Sequence, residues 1–216
     1  MLKINEEKNK TVGKVYIASM NMRGKWADPI LENSIKINVT SAQSRVNKNR
    51  LNFSPMTEIV NGFNGYKGYW NFESYWQSGK VYEDIPIEKT KKWWRELKEP
   101  KRRYPNSKGK KVLYALFDGN DEKMDYITSR KKVYVPEYYE LIKNKEMTLY
   151  WKKMVKKGHN LIIYDFDGPR TINGDVICLE LTKELLIEKI NDTQYPFGHG
   201  YIVAGCISDI SPNTYI

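Results

Sequence analysis

Gly68-Tyr69-Trp70-Asn71-Phe72-Glu73-Ser74-Tyr75-Trp76-Gln77-Ser78-Gly79-Lys80-Val81-Tyr82-Glu83 decides how this chain is read, because it scans as a helix with ionisable groups where a core stripe would be expected. Glu73, Gln77 and Lys80 stand at i, i+4 and i+7. At about 100° per residue they fall within about 60° of one another, and Trp76 borders them. A carboxylate, an amide and an amine thus share one helix face with an indole. Such a row can be a solvated set of ion pairs. Flanked by Trp70, Phe72, Tyr75 and Tyr82, it more naturally lines a partly buried aromatic pocket.

Outward from this helix, whose cap is Asn71, glycines at 62, 65 and 68 mark a turn-rich approach. Lys14 to Met20 and Ile35 to Thr40 read as strands, Ser41 to Arg50 as a polar loop or short helix, and Pro55 as a break. Downstream, Ile87 to Lys98 reads as a helix stopped by Pro100, and Val112 to Phe117 as a strand. Pro136 opens a helix over Glu137 to Lys143, and Met147 to Lys157 forms another, closed by Gly158. Leu161 to Phe166 and Val176 to Leu181 are strand-like, and Thr182 caps Lys183 to Ile190. Phe197-Gly198-His199-Gly200 leads into the apolar run Tyr201 to Ile207. Helices and short strands without regular βαβ alternation define an α+β class: a single compact domain, mainly helical, with a small sheet.

At 216 residues, 40% apolar and 29% charged, the chain can bury one sizeable core and lies far from the disordered class. Cys178 and Cys206, each in an apolar run, are too few for a disulfide framework or a zinc cluster, which suits a reduced cytosolic protein. Met1 to Lys14 is polar, and nowhere do about 18 apolar residues run together, so neither secretion nor a membrane partner is expected.

The charge is concentrated. Lys89 to Lys111 holds eleven Lys or Arg against Glu96 and Glu99, an excess of nine in a chain whose net charge is +10. With Trp93, Trp94 and Tyr104 interleaved, this stretch is a possible nucleic-acid or polyphosphate surface, with Lys101, Arg102 and Arg103 as its phosphate contacts. A solvated helix followed by a basic loop is the plainer reading.

No phosphate loop, dinucleotide fingerprint or nucleophile elbow is present, and two histidines exclude a histidine-rich metal centre. His159 reads as a helix-end residue. His199, between two glycines that let the backbone approach a ligand, is open between a substrate contact and a structural turn. Asp165 and Asp167 follow a strand, where a sheet commonly presents functional carboxylates.

The pattern Trp70, Glu73, Tyr75, Trp76, Gln77 and Lys80 resembles the central motif of the NADAR family, the YbiA-like N-glycosidases, in which a tryptophan precedes Glu-x-Tyr-aromatic-Gln-x-x-Lys. Phe53-Ser54-Pro55-Met56 looks like the family's upstream Phe-Ser-Asn-Phe segment, and Asp192 to Gly205 like its C-terminal segment. Trp70 stands one residue closer to Glu73 than in the family pattern, and Gly200-Tyr201-Ile202-Val203-Ala204-Gly205 replaces the C-terminal signature. The resemblance implies one NADAR-like domain over 1–216, with 1–13 as a flexible N-terminus.

It also implies cleavage of an N-glycosidic bond without metal or cofactor, in a nucleotide, an ADP-ribose derivative or an ADP-ribosylated nucleobase. Glu73 would then be the acid/base. Lys80 would contact phosphate or the leaving group, or form a Schiff base. Asp165 or Asp167 would orient water or ribose hydroxyls. Trp70 and Trp76 would stack on the base with Gln77 and His199 beside the substrate, and Arg23 or Arg45 would hold phosphates. The alternatives are a non-catalytic nucleic-acid or nucleotide-binding protein using residues 89–111, and a sequestering or base-modifying protein of a virus or mobile element.

Overall fold

Leu161-Ile162-Ile163 is apolar at three successive positions, and the strand it forms is covered on both faces, as the middle of a mostly parallel sheet requires. The computed structural model describes residues 11–22, 29–41, 47–60 and 65–216. Among them are strands β1 (Val15–Ser19), β2 (Ile35–Asn38), β3 (Lys80–Tyr82), β4 (Val112–Ala115), β5 (Leu161–Asp165) and β6 (Cys178–Glu180).

β5 lies between β2 and β1, parallel to both, and β6 closes the far edge antiparallel to β1, giving the order β2-β5-β1-β6. Strand alternation sends Val15, Ile17, Ile37, Leu161 and Ile163 into the main core, while Ala18 and Ile162 join a thin cluster on the other face. Because β1, β2 and β5 run the same way, Ser19, Asn38 and Asp165 end at one edge of the sheet. In open α/β sheets that is the edge where ligand crevices form. β3 and β4 form a separate antiparallel pair.

The helices are α1 (Pro29–Glu32), α2 (Lys48–Phe53), α3 (Phe72–Ser78), α4 (Ile87–Glu96), α5 (Tyr126–Ser129), α6 (Val135–Ile142), α7 (Glu146–Lys156), α8 (Lys183–Asn191) and α9 (His199–Ile207). α9, whose residues are all buried, packs on β1 and β5, with α6 and α7 outside it. The chain is a single α+β fold, as its pattern of elements suggests. Several helix ends are set by capping: Asn71 accepts from Ser74 N–H, Thr182 accepts from Leu185 N–H, and Gly158 takes φ +91 after α7.

The structure departs from the sequence pattern in four places. Helix α3 stops at Ser78, whose hydroxyl bonds back to the Tyr75 carbonyl, so Lys80 is not on the helix but begins β3, paired with Ala115. Gly79 permits that change, since a Cβ there would lie 2.4 Å from Phe117 Cε1. Tertiary pairing of Val81 and Tyr82 overrides helical continuation.

The helix expected to open at Pro136 starts ten residues earlier, at Tyr126, capped by Asp125 accepting from Thr128 N–H at 2.6 Å. Pro136 has no N–H and would clash with a carbonyl four residues back in a regular helix. The chain widens through one π turn over Arg130–Tyr134 instead, and Val135 N–H donates to the Arg130 carbonyl.

Residues 1–10 of the expected flexible N-terminus lie outside the described residues. Gly13, however, is packed: its N–H donates to the Val155 carbonyl at 2.9 Å, and a Cβ would meet the His159 carbonyl oxygen at 2.1 Å. Finally, Cys206 is buried as expected, but Cys178 on edge strand β6 is only half-buried. Among the described residues no helix is long and apolar enough to cross a membrane.

Candidate active site

A cavity of about 440 Å³ opens beside the carboxyl end of β5. Three separated pieces of chain form its walls. α3 and the start of β3 supply Glu73, Trp76, Gln77 and Lys80; the end of β5 and the following turn supply Asp165, Phe166 and Asp167; the segment entering α9 supplies Pro196 to His199. Arg102 and Arg103 close a fourth side, and Pro55 and Met56 line the rim. Pro55 is held by its carbonyl, which accepts from Glu73 N–H at 2.9 Å, while the Met56 carbonyl accepts from Asn71 Nδ2 at 2.8 Å.

Glu73 points one oxygen, Oε1, at Gln77 Nε2, 2.6 Å away, a contact that the i, i+4 spacing predicts. Its Oε2 has no hydrogen-bond partner among the described residues. Burial pushes the Lys80 amine below its ordinary pKa; Glu73 opposes this and Arg103 adds to it. Lys80 keeps part of its surface accessible, and it lines concave, half-open cavities. It makes no ion pair with another described residue.

Asp165 is only 2% exposed, and its oxygens are engaged. Oδ1 accepts from Phe166 N–H at 2.8 Å, and Oδ2 accepts from Gly200 N–H at 2.8 Å and faces His199 Nδ1 at 3.2 Å. His199 Nε2 meets the Val39 carbonyl at 2.5 Å. A carbonyl only accepts, so Nε2 carries a hydrogen, and both ring nitrogens are used. Both residues line the cavity, with these polar atoms already engaged. The pair pins α9 to the sheet edge, and the Asp165 carboxylate is held rather than free.

The flanking glycines serve that contact too. A Cβ at Gly198 would lie 2.6 Å from Asp165 Oδ2, and one at Gly200 would lie 2.6 Å from Asp165 Cβ. They admit the Asp165 side chain.

Asp167 is the more open acid. Desolvation in the cavity mouth, then the charge of Asp165, raise its pKa above the usual carboxylate value, against the pull of His199 and Arg102. Its side chain is solvent-accessible by area, so this desolvation is that of a concave mouth and not of a core. Arg102 sits 5.8 Å from the Phe166 ring centroid.

Other expected site residues fall elsewhere. Trp70 does not line the cavity; its carbonyl accepts from Ile59 N–H at 3.1 Å. Trp76 does line it, but its ring already stacks on Phe117 (5.7 Å, 20°) and leans on Tyr134 (4.9 Å). Lys101 pairs with Glu99 at 3.1 Å outside the cavity. Arg23 and Arg45 lie outside the described residues.

The basic stretch is also partly spent on the fold. Lys91 and Arg95 hold Asp118 at 2.9 and 2.6 Å, and Lys110 lies 3.6 Å from Asp84. Two of its three aromatics are interior: Trp94 is fully buried and Tyr104 is buried against Trp93, which is itself half-buried and meets Trp94 edge-on at 4.7 Å. The picture of tryptophans on an open basic surface is therefore corrected.

Sequence reasoning missed Tyr126, Tyr134 and Phe197, which also line the cavity. The first two belong to the helix whose start was misplaced, and the signal for them was the Asp125-x-x-Thr128 cap. Among the described residues no group of three or more His, Cys, Asp and Glu side chains could hold a metal ion. Comparison with known families, with curated proteins and with solved structures finds no match to this chain.

Proposed function

We propose that the chain is an N-glycosidase acting on a nucleotide, an ADP-ribose derivative or an ADP-ribosylated nucleobase. One observation carries the reading. Each of the three segments in which the chain resembles NADAR proteins, 53–56, 73–80 and 192–205, sends residues to the same cavity: Pro55 and Met56 from the first, Glu73, Trp76, Gln77 and Lys80 from the second, and Pro196 to His199 from the third.

Cleaving a C1′–N bond leaves the bonding pair on the nitrogen and positive charge on the sugar. The Glu73 carboxylate is suited to remove a proton from the water whose oxygen adds to C1′. The departing nitrogen needs a proton, and an ammonium whose pKa burial has lowered gives one up more readily. Lys80 supplies that proton and recovers one from Glu73 after turnover. Asp167, with its raised pKa, holds the ribose hydroxyls or the water. Arg102 and Arg103 hold phosphate.

A Schiff base between Lys80 and the opened sugar is a second reading, favoured by the same depressed amine. Borohydride trapping followed by mass spectrometry at Lys80 separates the two.

The test is base release from ADP-ribosylated DNA and from nucleotides, followed by liquid chromatography and mass spectrometry. Glu73→Gln and Lys80→Ala are each expected to lower turnover by about 10²–10⁴. Full activity in both would overturn the mechanism. A nucleic-acid binder built on residues 89–111 would instead lose affinity steeply with salt.

A further inference from the structure

Lys80 lines two more chambers besides the one that holds Glu73. Beyond Trp76 and Tyr126 lies a second, of about 350 Å³, walled by Val112, Leu113, Tyr114, Ala115 and Phe117. On the other side of Lys80 lies a third, of about 280 Å³, bounded by Arg102, Arg103, Lys110 and the loop at Ser107 and Gly109. The first chamber carries both signs, with Glu73, Asp165 and Asp167 facing Lys80, Arg102 and Arg103; the second is apolar and aromatic; the third is cationic and shares Arg102 and Arg103 with the first. Lys80 lines all three.

The chemistry of each chamber selects a different part of a ligand. A flat, apolar group gains most between aromatic walls. Leu113 is 51% exposed and Val112 42%, so this chamber is an unusual opening of apolar surface to solvent beside a charged site. The polar groups at its far end are engaged locally, since Asp125 caps α5 and the Ser129 hydroxyl donates to the Tyr126 carbonyl. It therefore recognises shape more than a particular hydrogen-bonding edge.

In the third chamber neither Arg102 nor Arg103 makes a direct ion pair with another described residue, and paired guanidinium groups match phosphate oxygens.

Resting on the N-glycosidase reading, we infer that β4 provides a separate seat for the nucleobase. The substrate is a nucleoside phosphate whose planar base lies against Leu113 and Tyr114, whose sugar lies beside Glu73, and whose phosphate meets Arg102 and Arg103. The glycosidic bond then passes Lys80, where the departing nitrogen is protonated.

Calorimetric titration of Glu73→Gln protein with adenosine, ribose 5-phosphate and AMP tests the arrangement without turnover. Adding Leu113→Asp is expected to weaken adenosine and AMP about tenfold and to leave ribose 5-phosphate unchanged. Adding Arg102→Ala and Arg103→Ala together is expected to weaken ribose 5-phosphate and AMP at least tenfold and to leave adenosine unchanged.

Leu113 is half exposed, so its replacement spares the core, and the milder Leu113→Ser repeats the test. Unchanged adenosine affinity in the Leu113 variants, equal losses for all three ligands, or no binding of any of them would overturn the arrangement. If the affinities divide as expected but wild-type protein releases no base, the catalytic reading fails and the seat stands. If base is released but the affinities do not divide, the seat fails alone.

Discussion

Gly200 and Gly205 occupy the same helix, α9, yet alanine should act oppositely at the two positions. A Cβ at Gly205 would sit 3.4 Å from Leu186 Cδ1 and 3.6 Å from the Ile210 carbonyl oxygen, ordinary contact distances. A Cβ at Gly200 would sit 2.6 Å from Asp165 Cβ and 2.9 Å from Asp165 Oδ2, closer than real Cβ atoms come. Both substitutions gain helix propensity, up to about 1 kcal/mol. Only the first-turn one overpacks, at a cost of about 1–3 kcal/mol, and strains the Gly200 N–H bond to Asp165.

Gly205→Ala should therefore be as stable as wild type or up to about 1 kcal/mol more stable, with Gly200→Ala lower than it by about 1–3 kcal/mol. Urea unfolding at a common m-value reads the gap directly, and thermal unfolding should show about 2–4 °C per kcal/mol. Should Gly200→Ala prove as stable as Gly205→Ala, the packing of α9 on Asp165 is not as described.

Asp118 sits among Lys91, Arg95 and the Tyr69 hydroxyl, which donates to it at 2.8 Å. Burial alone would raise its pKa, but these hydrogen bonds and charges more than offset that and hold it below the ordinary carboxylate value. Its contribution is therefore present above that ordinary value and lost as pH falls through the lowered one. Asp118→Ala should cost about 1–3 kcal/mol at neutral pH, with the gap to wild type closing in acid; an unchanged gap would refute the pairing. Trp94→Ala should cost about 3–5 kcal/mol of stability, measured by urea unfolding, because the ring is core rather than a base-stacking surface.

The helix at Phe72–Ser78 was legible because capping and i, i+4 spacing are local: Asn71 caps it, and Glu73 finds Gln77. Lys80 reached the right cavity by a route the spacing does not contain, through the pairing of β3 with β4. That pairing is a contact between residues thirty or more positions apart, and helical periodicity cannot encode it. Trp94 and Trp93 misled for a related reason. Their neighbours in sequence are lysines, but their neighbours in space are each other and Tyr104. The glycines around His199 signalled close approach correctly, yet the approaching group, Asp165, arrives from a strand 35 residues away. Sequence showed that something must come close there and not what.

The π turn ahead of Pro136 has a mechanical consequence. It joins two stretches of one rod whose angular phases must both be right. Arg130, at the start of the turn where it leaves α5, lies beneath the end of α8, its guanidinium donating to the Ile190 carbonyl at 2.9 Å and the Asp192 carbonyl at 3.1 Å. The downstream stretch sends the Tyr138 hydroxyl to the Phe53 carbonyl and its ring edge-on toward His199. Removing a single residue between them would turn one stretch about 100° against the other, so the two anchorages could no longer be satisfied together. The surplus residue acts as a keyway, fixing how α5, which brings Tyr126 to the cavity, is clocked against α6.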